Sequence, residues 1–169
     1  MSSEIETVRH GFVAGAAGGL AEIAWVALYA GVTGGNGAVL ARGVTSAAGV
    51  SALLPSSPVM LGIVVHMSLA VMVGLLLALA WREVREQWPS LKSPYPLALA
   101  ALAGIWVLNF FILLPIVSPA FVHLVPYLVS LTSKLLFGVA AAAALQWQTA
   151  SRFDGRQPIP NKARSTLRQ

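Results

Sequence analysis

The chain has 169 residues, of which 57% are hydrophobic and only 10% charged. Soluble domains carry about 25% charged residues, so this chain lacks the charge to cover a water-facing surface, and an integral membrane protein is the expected class. There is no cysteine, which excludes disulfides, thiolate metal sites and cysteine nucleophiles; the net charge of +5 speaks first of membrane sidedness rather than of nucleic acid.

The chain opens with a short polar stretch, MSSEIETVRH, followed by an apolar run from Gly11 to Val32 broken only by Glu22. A signal peptide has a basic start and an apolar core of about 7–15 residues. Here the start carries Glu4 and Glu6, so the run reads as a span, with a cleaved leader as the alternative. Residues 33–58 are rich in Gly, Ser, Ala and Pro, and AVLARGVTSAAGVSALL within them suits a short helix lying at the interface. Residues 60–81 form a second apolar run, interrupted by His66, and REVREQWPSLKSPYP then carries prolines that cannot continue a helix. The third span, 97–114, contains no charge and one amide, Asn109. PIVSPAFVHLVP reads as a proline-punctuated turn, and the fourth span, 127–147, contains Lys134. Residues 149–169 form a polar, basic tail expected to be disordered. The expected fold is therefore all-α: one four-span bundle over residues 1–148, followed by that tail.

Counting Lys and Arg orients the bundle. Arg9, Arg82, Arg85, Lys92, Arg152, Arg156, Lys162, Arg164 and Arg168 fall on one side, and only Arg42 on the other. Both termini are thus expected in the cytoplasm. A faint parallel two-helix repeat is visible: LLPSSP precedes the second span and LLPIVSP the fourth, a glycine recurs late in each, and Trp25 and Trp106 occupy comparable places in the first and third.

At about 1.5 Å per residue, His66 lies roughly 9 Å, Asn109 about 8 Å and Lys134 about 10 Å inside the outer ends of their spans, with Glu22 about one turn deeper. Glu22 shares a helix face with Gly15, Gly18, Trp25 and Tyr29; His66 with Gly62, Ala70 and Gly74; Lys134 with Tyr127, Ser130 and Gly138. Gly11, Gly15 and Gly19 form overlapping GxxxG pairs that admit a neighbouring backbone. A lone charge at mid-bilayer costs about 2.5 kcal/mol or more, and Glu22 is the only acid in any span. A Glu22–Lys134 pair facing the bundle interior, with His66 and Asn109 as neighbours, is the expected arrangement. Such a cluster can fix helix register, form a proton or ion path, or meet the charge of another subunit.

His66 and His123 are the metal or haem candidates, but they lie at different depths, and Met60, Met67 and Met72 add soft atoms without a regular metal spacing. No cofactor is expected. G-x-S-x-G, H-E-x-x-H and the P-loop are all missing from the sequence, so enzymatic activity is not expected.

The stretches GFVAGAAGGLAEIAWVALYAGVTGG and NFFILLPIVSPAFVHLVPYLVSLTSKLLFGVAAA resemble a group of small, uncharacterised proteobacterial membrane proteins, some of which carry the automatic label sodium:proline symporter. True sodium–solute symporters are much longer, with broken helices lining the site. Nothing here matches such a motif, so no binding residue carries over. The resemblance implies a bacterial inner-membrane protein. The expected role is a non-catalytic accessory or assembly subunit packing through its glycine seams against lipid and other subunits or itself. A small oligomeric transporter or channel lined by Glu22, His66, Asn109 and Lys134 is the alternative.

Overall fold

Each helix boundary follows from local chemistry. The computed structural model describes residues 3–53, 56–122 and 125–154. Helix α1 (Ser3–Thr33) starts with Glu4 and Glu6 in its first turn, where carboxylates complement the helix dipole. Asn36 caps α2 (Gly37–Ala47), its Oδ1 accepting from the Ala38 N–H at 2.9 Å. Gly49, at φ +69°, closes α2 in a Schellman turn, with Gly49 N–H on Ser46 O and Val50 N–H on Thr45 O, both at 3.0 Å. This stop explains why α2 ends well short of the Leu54 expected from the apolar pattern. Pro58 opens α3 (Pro58–Gln87), where its missing N–H costs nothing. Helix α4 (Tyr95–Val117) follows, then the short α5 (Pro119–Val122) and α6 (Tyr127–Asp154). No strand occurs among the described residues.

Several expected boundaries need correction. The helices overrun the apolar runs at most ends, because the backbone ladder continues wherever nothing breaks it. Helix α6 carries on through Thr149 to Asp154, so the first residues assigned to a disordered tail are helical; residues 155–169 lie outside the described residues. The third span was expected to stop before Pro115, yet α4 passes through it. It does so by opening a π turn at Asn109–Leu113, in which the Leu114 N–H reaches Asn109 O. Proline lacks an N–H and crowds the preceding turn, and the wider π turn absorbs that misfit. PIVSPAFVHLVP is accordingly not a plain turn, since it holds the end of α4 and all of α5.

Helices Glu4–Thr33, Pro58–Gln87, Tyr95–Val117 and Tyr127–Ala150 are each long and apolar enough to cross a membrane. Helix α1 packs against both α3 and α6, α4 packs against α6, and α2 lies on α3. The interior is built of small residues, among them Ala14, Ala70, Ala78, Ala98, Ala141 and Ala142, while Leu20, Leu28, Leu69, Leu76, Phe111 and Leu128 are at least half exposed. A soluble bundle has the opposite arrangement, with large apolar side chains inside.

Glycines set the spacing between helices. A Cβ on Gly11 would lie 2.6 Å from Leu75 Cα, one on Gly19 2.7 Å from Ala70 Cβ, and one on Gly15 against the Ala70 carbonyl. Gly74 answers from α3, against the Gly15 backbone and Gly11 O. Gly18 does not share this seam: it faces α6, where a Cβ would come 2.6 Å from the Phe137 ring. Gly62 also departs from its expected stripe, because it receives Ala41 of α2. Gly138 meets the Ala98 carbonyl of α4 at 3.3 Å. The seams expected to bind other subunits are therefore closed within the chain itself, since small residues gain most where two backbones can touch.

The two halves do not pack as equal repeats. A parallel pair of hairpins would make α1–α6 and α3–α4 equivalent, but α1–α6 is an extensive contact and α3–α4 a slight one. The core runs from Trp81, Leu145 and Ala98 to Ala70, Phe137 and Leu102. It stops there. Beyond lies the distal half, holding the starts of α3 and α6 and the ends of α1 and α4.

Candidate functional site: a buried ionic cluster at the edge of the core

Glu22 sits one turn past Gly18 on α1 and is 4% exposed. Lys134 of α6 reaches it, with Nζ 2.6 Å from Oε1. The same oxygen accepts from Ser133 Oγ at 3.1 Å. The second carboxylate oxygen lies 3.8 Å from His66 Nε2 of α3. That ring nitrogen is also 3.4 Å from Gly19 O. A carbonyl only accepts, so this contact calls for a proton on Nε2, and in a neutral ring Nδ1 is then the acceptor. Three helices thus converge on one carboxylate, and a desolvated carboxylate holds a conformation only when so supplied with donors.

The helix positions explain the convergence. Gly18 lets the Phe137 ring lie flat against α1, which brings α6 close enough for Ser133 and Lys134 to reach Glu22. Gly19 and Ala70 do the same for α3, one turn below His66. Trp25, one turn past Glu22, donates from Nε1 to Val129 O of α6 at 3.0 Å. Trp106 of α4 donates to Ser130 Oγ at 2.9 Å, and Ser130 Oγ in turn donates to Tyr127 O. Both indoles therefore fasten the first turns of α6. At the far end, buried Gln148 donates to Ala144 O at 3.0 Å and to His10 O at 3.4 Å, tying α6 to α1 again.

Asn109 is not part of the cluster. It starts the π turn of α4, and its side chain makes no hydrogen bond to any described residue. Helix α4 packs on α6 rather than on α1 or α3, which keeps its amide away from Glu22. Ser133 was missed by sequence reasoning because it precedes Lys134 by one position, about 100° around the helix. The usable signal was its place four residues before Phe137, on the face that meets Gly18.

His123 lies outside the described residues. Among those described, no three His, Asp or Glu side chains come together as a metal site. Cavities of about 410 and 450 Å³ lie against Leu79, Ala80, Arg82 and Glu83, and against the stretch from Ser56 to Met60 with Ile63. Glu22, His66, Asn109 and Lys134 line neither. Comparison with protein families, with curated proteins and with solved structures finds no match to this chain.

Proposed function

We propose that this chain is a non-catalytic accessory or assembly subunit of a larger bacterial inner-membrane complex, with both termini in the cytoplasm. One observation carries the reading: the ionic cluster is satisfied inside a single chain. Glu22 takes Lys134 and Ser133 and faces His66, so its geometry fixes the register of α1, α3 and α6 instead of awaiting a substrate. Small residues inside and large ones outside are what helix association in hydrocarbon favours. Such a preassembled unit offers apolar helix faces to lipid and to neighbouring subunits. The nine basic residues gathered on one side support the cytoplasmic placement of the ends.

Transport by an oligomer is the second reading, favoured by one feature: Lys134 and His66 side chains are each 24% exposed. The two readings separate by purification from native membranes in mild detergent. The subunit reading expects the same membrane proteins at fixed stoichiometry, recovered again when one of them is the tagged bait. A self-associating chain alone, with ion flux in liposomes that Glu22→Gln abolishes, would overturn it in favour of transport.

A further inference from the structure

The ionic cluster is sealed on one side only. Toward the chain termini it stands on a dry core, in which Ala14, Leu77, Leu102, Phe137, Ala141 and Leu145 are each 5% exposed or less. The next buried polar side chain in that direction is Gln148, about 21 Å from Lys134 by helix rise. Toward the distal end the packed core stops, and the Lys134 and His66 side chains are each 24% exposed. Lipid chains satisfy neither group, so water arriving from the distal side is the partner within reach.

Helix α2 stands over that opening. Along α3, Gly74, Ala70 and His66 meet α1 at Gly15, Gly19 and Glu22 in turn. One turn further on, Gly62 lies on nearly the same face and meets the Ala41 backbone of α2 instead. Helix α2 thus takes over the seam where α1 leaves it, on the distal side of His66. Its seat is packing alone. The Thr45 hydroxyl, on a residue 1% exposed, donates to Arg42 O of its own helix, and among the described residues no hydrogen bond or ion pair joins α2 to another helix. A helix of 11 residues has little stability of its own. Both of its ends are jointed: Gly34 and Gly49 hold φ of +67° and +69°, with open space around each. An element with so few bonds to its surroundings opens at low cost.

We propose that α2 is a hinged cover over the ionic cluster: the cluster exchanges water with the distal side alone, and the seating of α2 on Gly62 sets the rate of that exchange. The dry core below forbids exchange toward the termini, and the glycine joints let α2 lift without disturbing the Glu22–Lys134 pair. The proposal rests on neither functional reading, and its test needs neither a partner nor flux.

The cysteine-free sequence allows a single thiol to be placed at the site. His66→Cys leaves Glu22 its Lys134 and Ser133 partners, and a thiol reacts with a charged methanethiosulfonate as the thiolate, where water reaches it. The full chain is reconstituted in liposomes, and protease removal of an N-terminal tag identifies the side that carries the termini. Reagent on the distal side labels the His66→Cys chain slowly, and reagent on the side of the termini does not label it. Added to that chain, Gly62→Ala drives a Cβ into the Ala41 carbonyl, and Thr45→Gln enlarges the buried side of α2. Each raises the distal rate at least about fivefold, as expected when an overpacked contact weakens the closed seat, with helicity unchanged by circular dichroism. The two variants act from opposite sides of one contact, so if either fails to fold the other decides. Labelling from the side of the termini, no labelling from either side, or a distal rate that a folded variant leaves unmoved would overturn the proposal.

Discussion

Lys134→Met is the substitution that tests the cluster most sharply. It keeps the length and apolar stem of the side chain and removes the charge. At 2.6 Å the attraction between Lys134 and Glu22 is about 6 kcal/mol for an effective dielectric constant near 20, most of it offset by the cost of burying both charges. The single variant forfeits the attraction and keeps the burial cost of Glu22, which is 4% exposed and retains the Ser133 hydroxyl and the more distant His66 ring at 3.8 Å. Loss of one member of a buried pair costs about 3–5 kcal/mol. Glu22→Gln, leaving the ammonium unmatched, should cost a similar amount. The double variant Glu22→Gln/Lys134→Met removes both charges, and its amide can still accept from Ser133. It should regain at least about 2 kcal/mol over the worse single variant. Reversible unfolding in mixed micelles, read by circular dichroism, measures all four corners of the cycle. Additive losses, with the double variant the least stable of the set, would show that the two side chains do not share a stabilising contact.

Gly74→Ala should cost about 1–3 kcal/mol, because its Cβ enters the α1 backbone, whereas Gly104→Ala, with nothing within 4 Å, should be neutral or gain up to about 1 kcal/mol from helix propensity; thermal melts of the two in one detergent compare them directly. Trp25→Phe removes the donation to Val129 O and should lower stability by about 0.5–1.5 kcal/mol, measurable in the same unfolding assay. Reporter fusions at residue 1 and after residue 150 should report the same compartment, and opposite compartments would contradict the four-span arrangement.

The segments that became helices were legible because the apolar runs are long and their interruptions few. Their ends were not, since an apolar run ends where lipid would end, while a helix ends where its ladder is broken. Gly49 and the capping Asn36 set the ends of α2 through φ and a side-chain oxygen, not through hydropathy. Pro115 looked like a terminator, and it would be one for a strict α ladder. The π turn before it lets α4 continue, a solution that residue pattern alone does not disclose.

Glu22 and Lys134 were legible as partners by elimination: hydrocarbon leaves an acid and a base in one bundle little choice but each other. Asn109 was placed beside them by a depth counted from the apolar span ends, but the α4–α6 register, with Gly138 against Ala98, Trp106 on Ser130 and Phe110 on Tyr127, sets it about two turns from Lys134. Which helix neighbours which was decided by glycines, and their partners could not be read from spacing. Gly15 and Gly18 sit three residues apart, yet one admits α3 and the other α6. That split wedges α1 between two helices, so Glu22 is reached from both sides. Helix α4, fastened to α6 through Gly138 and Trp106, is left on the far side of it. Asn109 stands level with Tyr127, through the Trp106–Ser130 and Phe110–Tyr127 contacts, and so shares neither the layer nor the contacts of the cluster.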